Sequence, residues 1–234
     1  MPLQSQVAIV TGASKGIGRA IAGRLASEGA QVVLSSRTQA PLEEAAAEIS
    51  RQGLKAIPLV TDVSSEEQVN QLVKSTVQKF GRIDILVNNA GFGIFKSAAE
   101  LTVDEFDSMW RVNMRGVFLA TKAVLPHMSA AKSGDIVNIC SLAGKNGFKG
   151  GTGYGATKWA LRGFATSLML EVRENNIRVI TVFPGSVETG FSTTGKRGEN
   201  ITQPEDVADA VFFAVSAPRR SMFSEIDVRP TNPR

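Results

Sequence analysis

Tyr154-Gly155-Ala156-Thr157-Lys158 is the segment of this 234-residue chain with the clearest capacity for chemistry. Residues at i and i+4 share one face of a helix, so the phenol and the ammonium are expected side by side. A cation beside a phenol favours phenolate, and the spacing predicts a Tyr154 pKa drawn from about 10 towards neutrality. A group tuned in that way can give or take a proton at physiological pH. Ser141 ends the preceding apolar run, where its hydroxyl could polarise a carbonyl. Alone, Tyr-x-x-x-Lys is common and usually a solvated helix face. Here it gains weight from a second feature near the start of the chain.

That feature is Thr11-Gly12-Ala13-Ser14-Lys15-Gly16-Ile17-Gly18, which follows an apolar run and leads directly into a helical pattern. Glycines permit a tight turn and close backbone approach, and the amides of a helix N-terminus supply donors and positive partial charge. Together these suit a dinucleotide pyrophosphate. The spacing is G-x-x-x-G-x-G rather than G-x-G-x-x-G, and it lacks the Gly-Lys-Ser/Thr of a triphosphate loop. The expected contacts are Gly12, Ser14, Lys15, Gly16, Ile17 and Gly18. An acid about 20 residues further on would hold the ribose hydroxyls of NAD. The chain instead has Leu34-Ser35-Ser36-Arg37 there. A carboxylate would repel a 2′-phosphate, whereas Arg37 can bind one, with Ser36 beside it and Lys15 as a second cation. The pattern predicts NADP(H).

Elements that could position these groups alternate along the chain. Apolar runs lie at Val7–Val10, Val32–Leu34, Ala56–Val60, Ile83–Val87, Ile136–Cys140, Ile177–Phe183 and Ile226–Val228. Amphipathic stretches lie at about Gly18–Ser27, Pro41–Arg51, Glu66–Lys79, Val103–Met128, Tyr154–Glu174 and Pro204–Val215. Seven strand candidates alternating with six helix candidates predict one doubly wound α/β domain over residues 1–234. Its sheet should be seven-stranded, mostly parallel and flanked by helices on both faces. The glycine-rich stretch Gly144–Gly155 lies between a strand and a helix and is expected to be a functional loop.

Composition narrows the chemistry further. One Cys (Cys140) and one His (His127) leave no internal disulfide, no Cys/His zinc site and no metal in the expectation. Cys140 and His127 are expected as bystanders, and Trp110 and Trp159 as packing or subunit contacts. A net charge of +4 without a Lys/Arg cluster argues against nucleic acid as a partner. The opening residues lack a signal-peptide layout and no run is long enough to span a membrane, so a cytoplasmic location is expected.

Thr11–Gly18, Asn88-Asn89-Ala90-Gly91, Asn113, Ser141, Tyr154/Lys158 and Pro184-Gly185, in that order, resemble the short-chain dehydrogenase/reductase family over nearly the whole chain. The resemblance implies a Rossmann domain with a Ser-Tyr-Lys-Asn tetrad. Tyr154 would be the general acid/base and Ser141 the carbonyl-orienting hydroxyl. Lys158 would bind the nicotinamide ribose and depress the Tyr154 pKa, and Asn113 would hold a water relaying protons to Lys158. Asp62 and Val63 match the pair that contacts adenine. Asn89, Ala90 and Gly91 match the turn beside the adenine ribose, while Asn88 steadies the central strand. Pro184, Gly185, Val187 and Thr189 match the segment that closes over the nicotinamide.

A substrate would then meet Phe92, Ile94 and Phe95 after the Asn-Asn-Ala-Gly turn, with Leu142, Asn146, Phe148 and Phe191 opposite. That lining is mainly apolar and suggests a hydrophobic or acyl-like carbonyl compound, acyl thioesters included. Among family members, 3-oxoacyl-carrier-protein reductases commonly carry this motif set. The chain departs from them in closing Val228-Arg229-Pro230-Thr231-Asn232-Pro233-Arg234 rather than with Asp-Gly-Gly, and in a short Thr189–Pro204 stretch. A homodimer or homotetramer pairing through the long helices is implied. The reading is an NADPH-dependent carbonyl reductase. The alternatives are an NAD(P)-dependent alcohol dehydrogenase working oxidatively and a non-catalytic NADP(H)-binding sensor.

Overall fold

The structure is a computed structural model that describes residues 1–189 and 201–231. The apolar runs become β1 (Val7–Thr11), β2 (Gln31–Ser36), β3 (Ala56–Val60), β4 (Ile85–Asn88), β5 (Gly134–Ile139), β6 (Ile177–Pro184) and β7 (Glu225–Val228). They form one seven-stranded sheet in the order β3-β2-β1-β4-β5-β6-β7, and every pairing is parallel. Parallel neighbours need crossovers, which the helices supply. These are α1 (Gly16–Ser27), α2 (Gln39–Arg51), α3 (Glu66–Phe80), α4 (Val103–Trp110), α5 (Gly116–Ala131), α6 (Thr152–Val172) and α7 (Pro204–Ser216).

Strand alternation divides the apolar residues between two faces. Ala8, Val10, Val32 and Leu34 pack with α1, α2 and α7. Ile9 and Val33 turn the other way, onto α3, α5 and α6. The chain builds outward from β1 to β3 and then returns to place β4 on the other side of β1. That reversal opens a crevice at the carboxyl ends of β1 and β4, where ligands of doubly wound sheets bind.

Three boundaries differ from the sequence expectation. The Val103–Met128 stretch is interrupted by a π turn, Arg111–Arg115, in which the Gly116 amide bonds the Arg111 carbonyl. The capping box of Thr102 and Glu105 starts α4 as its own short helix. Strand β5 stops at Ile139, so Cys140 lies beyond it. The glycine-rich loop is shorter than Gly144–Gly155, because Leu142–Gly144 forms a 3₁₀ turn and α6 begins at Thr152. Tyr154 therefore sits in the first turn of α6. Among the described residues no helix is long and apolar enough to cross a membrane.

At the amino ends of β5 and β6 the sheet buries an ion pair. Arg178 donates from Nε to Asp135 Oδ1 at 2.6 Å and from Nη2 to Asp135 Oδ2 at 2.9 Å. Its other N–H groups go to the carbonyls of Val215, Ala217 and Ser221 at 2.8, 3.0 and 3.2 Å. Every guanidinium hydrogen is placed, and Arg219 adds a further bond to Asp135 at 2.9 Å.

Candidate active site

Thr11 ties the first glycine turn to the end of β4. Its hydroxyl donates to the Val87 carbonyl at 3.2 Å and accepts the amides of Asn89 and Ala90 at 3.0 and 3.1 Å. The Asn89 side chain donates back to the carbonyls of Thr11 and Gly12 at 2.9 and 3.1 Å. Gly12 has φ +66°, and a Cβ there would come within 2.8 Å of Ala90 Cα. Any side chain at this position would push the two turns apart. Gly18 packs under the same turn, where a Cβ would overlap Asn89 and the Gly12 carbonyl, and it does not line the cleft. One strand level below, Asn88 donates to Asn138 at 3.0 Å and to Thr121 at 3.3 Å, bracing β4 against β5 and α5.

Helix α1 begins on this turn without a side-chain cap and with no acidic residue in its first turn. Helices α3 and α4, by contrast, have capping hydroxyls and acidic first turns. The α1 amides are thus left for an external anion, as a pyrophosphate site requires. Lys15 and Arg37 are exposed along the same cleft, with no side-chain hydrogen bond or ion pair among the described residues. Asp62 lines it too. Burial opposes the Asp62 charge, but hydrogen bonds from the Ser64 amide and hydroxyl, with Arg37 nearby, hold its pKa below the usual carboxylate value.

The cleft has a volume of about 1240 Å³, large enough for a dinucleotide with room beyond it. It brings together Gly12, Ser14, Lys15, Gly16, Ile17, Ser36, Arg37, Asp62, Val63, Asn89, Ala90 and Gly91 at one end. Pro184, Gly185, Val187 and Thr189 border it after β6. A bridge between Val187 and Thr202 shapes that segment. It folds back over the glycine turn, where a Cβ on Gly16 would lie 3.3 Å from Thr189 Cγ2. The donor set, the uncapped helix and the exposed cations fit a dinucleotide carrying an extra phosphate.

At the other end, Ser141 leaves β5, and its Oγ accepts the Ala143 amide at 3.1 Å, fixing the 3₁₀ turn. The Ser141 hydroxyl also hydrogen-bonds the Tyr154 phenol, which is 7% exposed. Lys158 is buried one helical turn on and donates from Nζ to the Ile139 carbonyl at 2.9 Å. Its ammonium lies 5.7 Å from the centre of the Tyr154 ring. The protein surroundings push the Tyr154 pKa up, against the sequence expectation. Burial raises it, and the Ser141 hydrogen bond only partly offsets this. Burial likewise drives the Lys158 pKa down. The chain by itself keeps the phenol protonated.

Asn113 occupies the π turn and is almost fully buried. Its Oδ1 accepts the Phe92 amide at 3.0 Å, and its Nδ2 donates to the Phe92 carbonyl at 2.8 Å and to Thr157 at 3.1 Å. Thr157 in turn donates to the Tyr154 carbonyl at 2.7 Å. Both amide hydrogens of Asn113 are therefore used in locking the Phe92 loop to the Tyr154 helix.

Phe92, Phe95, Leu142 and Phe148 line the substrate end, while Ile94 and Asn146 do not. Ile94 turns into a small cluster with Met109 and Tyr154. The Asn146 amide folds back on the Leu142 carbonyl at 3.3 Å. Phe191 lies outside the described residues. The cleft also uses Gly93, Val112, Lys149 and Glu188, none of which carries a local sequence signal. Val112 adjoins Asn113 in the π turn, so its place at the cleft depends on an irregularity that periodicity does not reveal. Cys140 also reaches the cleft: its buried thiol donates to the Lys158 carbonyl at 3.3 Å, and burial pushes its pKa up. His127 is exposed, as is much of Trp159.

Comparison with known proteins agrees with this geometry. The family described as short chain dehydrogenase matches residues 6–200. An uncharacterized oxidoreductase of Staphylococcus aureus strain MRSA252 is 38% identical over 229 residues, covering 97% of this chain and 98% of its own. A metagenomic short-chain oxidoreductase solved in complex with NADP is 39% identical, with a TM-score of 0.89 over 99% of this chain and 100% of that one. A 3-ketoacyl-(acyl-carrier-protein) reductase from Brucella melitensis, solved with NADH, is 33% identical, with a TM-score of 0.91 over 98% of each chain. With the glycine turn, the Asn-Asn-Ala-Gly turn and the Ser141–Tyr154–Lys158 group assembled in one cleft, this chain belongs to the short-chain dehydrogenase/reductase family.

Proposed function

We propose that this protein is an NADPH-dependent reductase of ketones or aldehydes in which Tyr154 delivers the proton. The carrying observation is the geometry of the cleft, where the Ser141 hydroxyl hydrogen-bonds the Tyr154 phenol and Lys158 lies one helical turn on. A group that donates to a carbonyl oxygen must hold its proton until reaction, and burial favours that form of Tyr154. Bound NADPH supplies hydride at the nicotinamide C4. The Ser141 hydroxyl orients the carbonyl oxygen, and Tyr154 gives it a proton as the C–O⁻ charge develops. Lys158, anchored on Ile139, keeps further N–H groups for the cofactor ribose and for charge stabilisation beside the phenol.

The cofactor preference rests on Arg37 and Lys15 at the adenosine end. The relatives with bound cofactor include one with NADP and one with NADH, so the fold alone does not decide. Arg37→Ala is expected to weaken NADPH about tenfold or more, from the loss of a charge-assisted hydrogen bond, while NADH binding changes little. Fluorescence titration of both cofactors checks this, and equal losses would remove Arg37 from the phosphate. Tyr154→Phe is expected to lower carbonyl reduction about 10²–10⁴-fold while NADPH still binds. Unchanged turnover would end the assigned role.

A further inference from the structure

Two phenylalanines lead away from Tyr154, and each packs close against a glycine. A Cβ at Gly93 would come within 2.7 Å of Phe95 Cζ and 3.1 Å of Tyr154 Cδ2. A Cβ at Gly151 would overlap the Phe148 ring. Phe95 meets the Tyr154 ring edge-on, centroids 5.4 Å apart at 75°, and Phe148 follows at 5.9 Å from Phe95. The loops carrying the two rings are joined by a parallel bridge between Lys96 and Gly151. Even so, Phe95 is 41% exposed and Phe148 48%, and both line the cleft. Apolar rings that line a cleft next to a reactive hydroxyl suit an apolar ligand group.

We propose that Phe95 and Phe148, seated on Gly93 and Gly151, form a preformed aromatic slot that selects carbonyl compounds bearing an aryl group on the carbonyl carbon. This rests on the reductase reading above and narrows its substrate class. A planar ring can meet the Phe95 and Phe148 rings in edge-to-face or offset geometry, which saturated groups of the same size cannot match. A flexible alkyl or acyl chain would also lose rotamer freedom against a wall that does not adapt to it. The slot begins at Tyr154, so the aryl group and the proton donor address the same carbonyl.

The test uses the full chain with NADPH and three methyl ketones of eight carbons: acetophenone, cyclohexyl methyl ketone and 2-octanone. Acetophenone is expected to show the highest kcat/KM, about two- to tenfold above the other two, the range for a specific aromatic contact. Phe95→Leu and Phe148→Leu keep an apolar side chain but remove the ring, and each should reduce that preference, mainly through KM for acetophenone. Comparing ratios across variants cancels the intrinsic reactivity of each ketone, and NADPH titration confirms that each variant is folded. Gly151→Ala, which displaces the Phe148 ring, should act like Phe148→Leu. Equal use of the three ketones by the parent, or a preference that survives both Leu variants, overturns the slot and leaves the reductase reading intact. If neither these ketones nor a broader panel of aldehydes and ketones oxidise NADPH, both fall.

Discussion

Strand β5 has a buried cation near each end. Near its first residues Arg178 faces Asp135, and beyond its last residue the Lys158 ammonium hangs from the Ile139 carbonyl. Both side chains are nearly inaccessible, at 5% and 6% exposure. They differ in how completely they are satisfied. Arg178 has a bidentate carboxylate and three carbonyls, leaving no N–H to offer. Lys158 has one hydrogen bond to a neutral acceptor among the described residues, and no carboxylate pairs with it. Removing a charge from water is costly, and a fully bonded buried ion can hold a fold together. A buried charge left incompletely bonded is a cost the fold carries for some other reason, and sites of function are where such costs collect.

The sharpest way to break this contrast is to remove each cation in turn. Lys158→Met should lower carbonyl reduction about 10²–10⁴-fold, the range for losing a group that supports proton transfer. The same variant should melt no lower than the parent, because an uncompensated buried ammonium is replaced by an apolar stem of similar length. Steady-state kinetics and calorimetry on one preparation decide it. A large drop in melting temperature with activity retained would show that Lys158 is structural after all.

Arg178→Met should reverse the pattern. It leaves Asp135 buried beside Arg219 alone, and breaking such a pair costs about 3–5 kcal/mol. At this chain length that corresponds to a melting temperature lower by roughly 10 °C. The kcat and KM of the molecules that remain folded should match the parent. A loss of turnover at a temperature where the variant is folded would couple the two ends of the sheet.

These two cations also separate what the chain reveals locally from what it does not. The Tyr154/Lys158 pair, the Gly12–Gly18 turn and Arg37 were legible because each depends on spacing within a few residues, or on one strand leading into one helix. The alternation of apolar runs carried the sheet for the same reason, and both faces of a parallel sheet being buried made the runs continuous. The Arg178–Asp135 pair joins residues 43 apart, and no periodicity links them. Helical spacing reports the Lys158 neighbour of Tyr154 but not the burial of the phenol, which comes from packing with Phe92, Ile94, Met109 and Ala143. The π turn at Asn113 and the ring seats at Gly93 and Gly151 arise from contacts between separate loops. Asn146 and Ile94 failed to reach the cleft because a local hydrogen bond and a small side cluster claimed them.

The smallest effect expected is one of sign, and it concerns the incompletely bonded cation. Burial lowers the Lys158 pKa below the 10.5 of a free lysine. In the window between the folded value and 10.5 the unfolded chain holds a proton that the folded chain has released, so stability attributable to Lys158 rises with pH. As pH falls through the folded value the folded state must accept the charge, and the full cost appears. The melting temperature of Lys158→Met should therefore exceed that of the parent most at neutral pH, and the two should converge as pH approaches 10.5. Tyr154 works in the opposite sense and higher up: its raised folded pKa protects stability below about 10, and that protection is lost as pH rises through the folded value. Melting curves of parent and variant between pH 7 and 10 thus isolate Lys158. A parent that melts above the variant at neutral pH, with the difference closing as pH rises, would mean that the ammonium is stabilised in place, as Arg178 is, and the contrast between the two ends of β5 would fall.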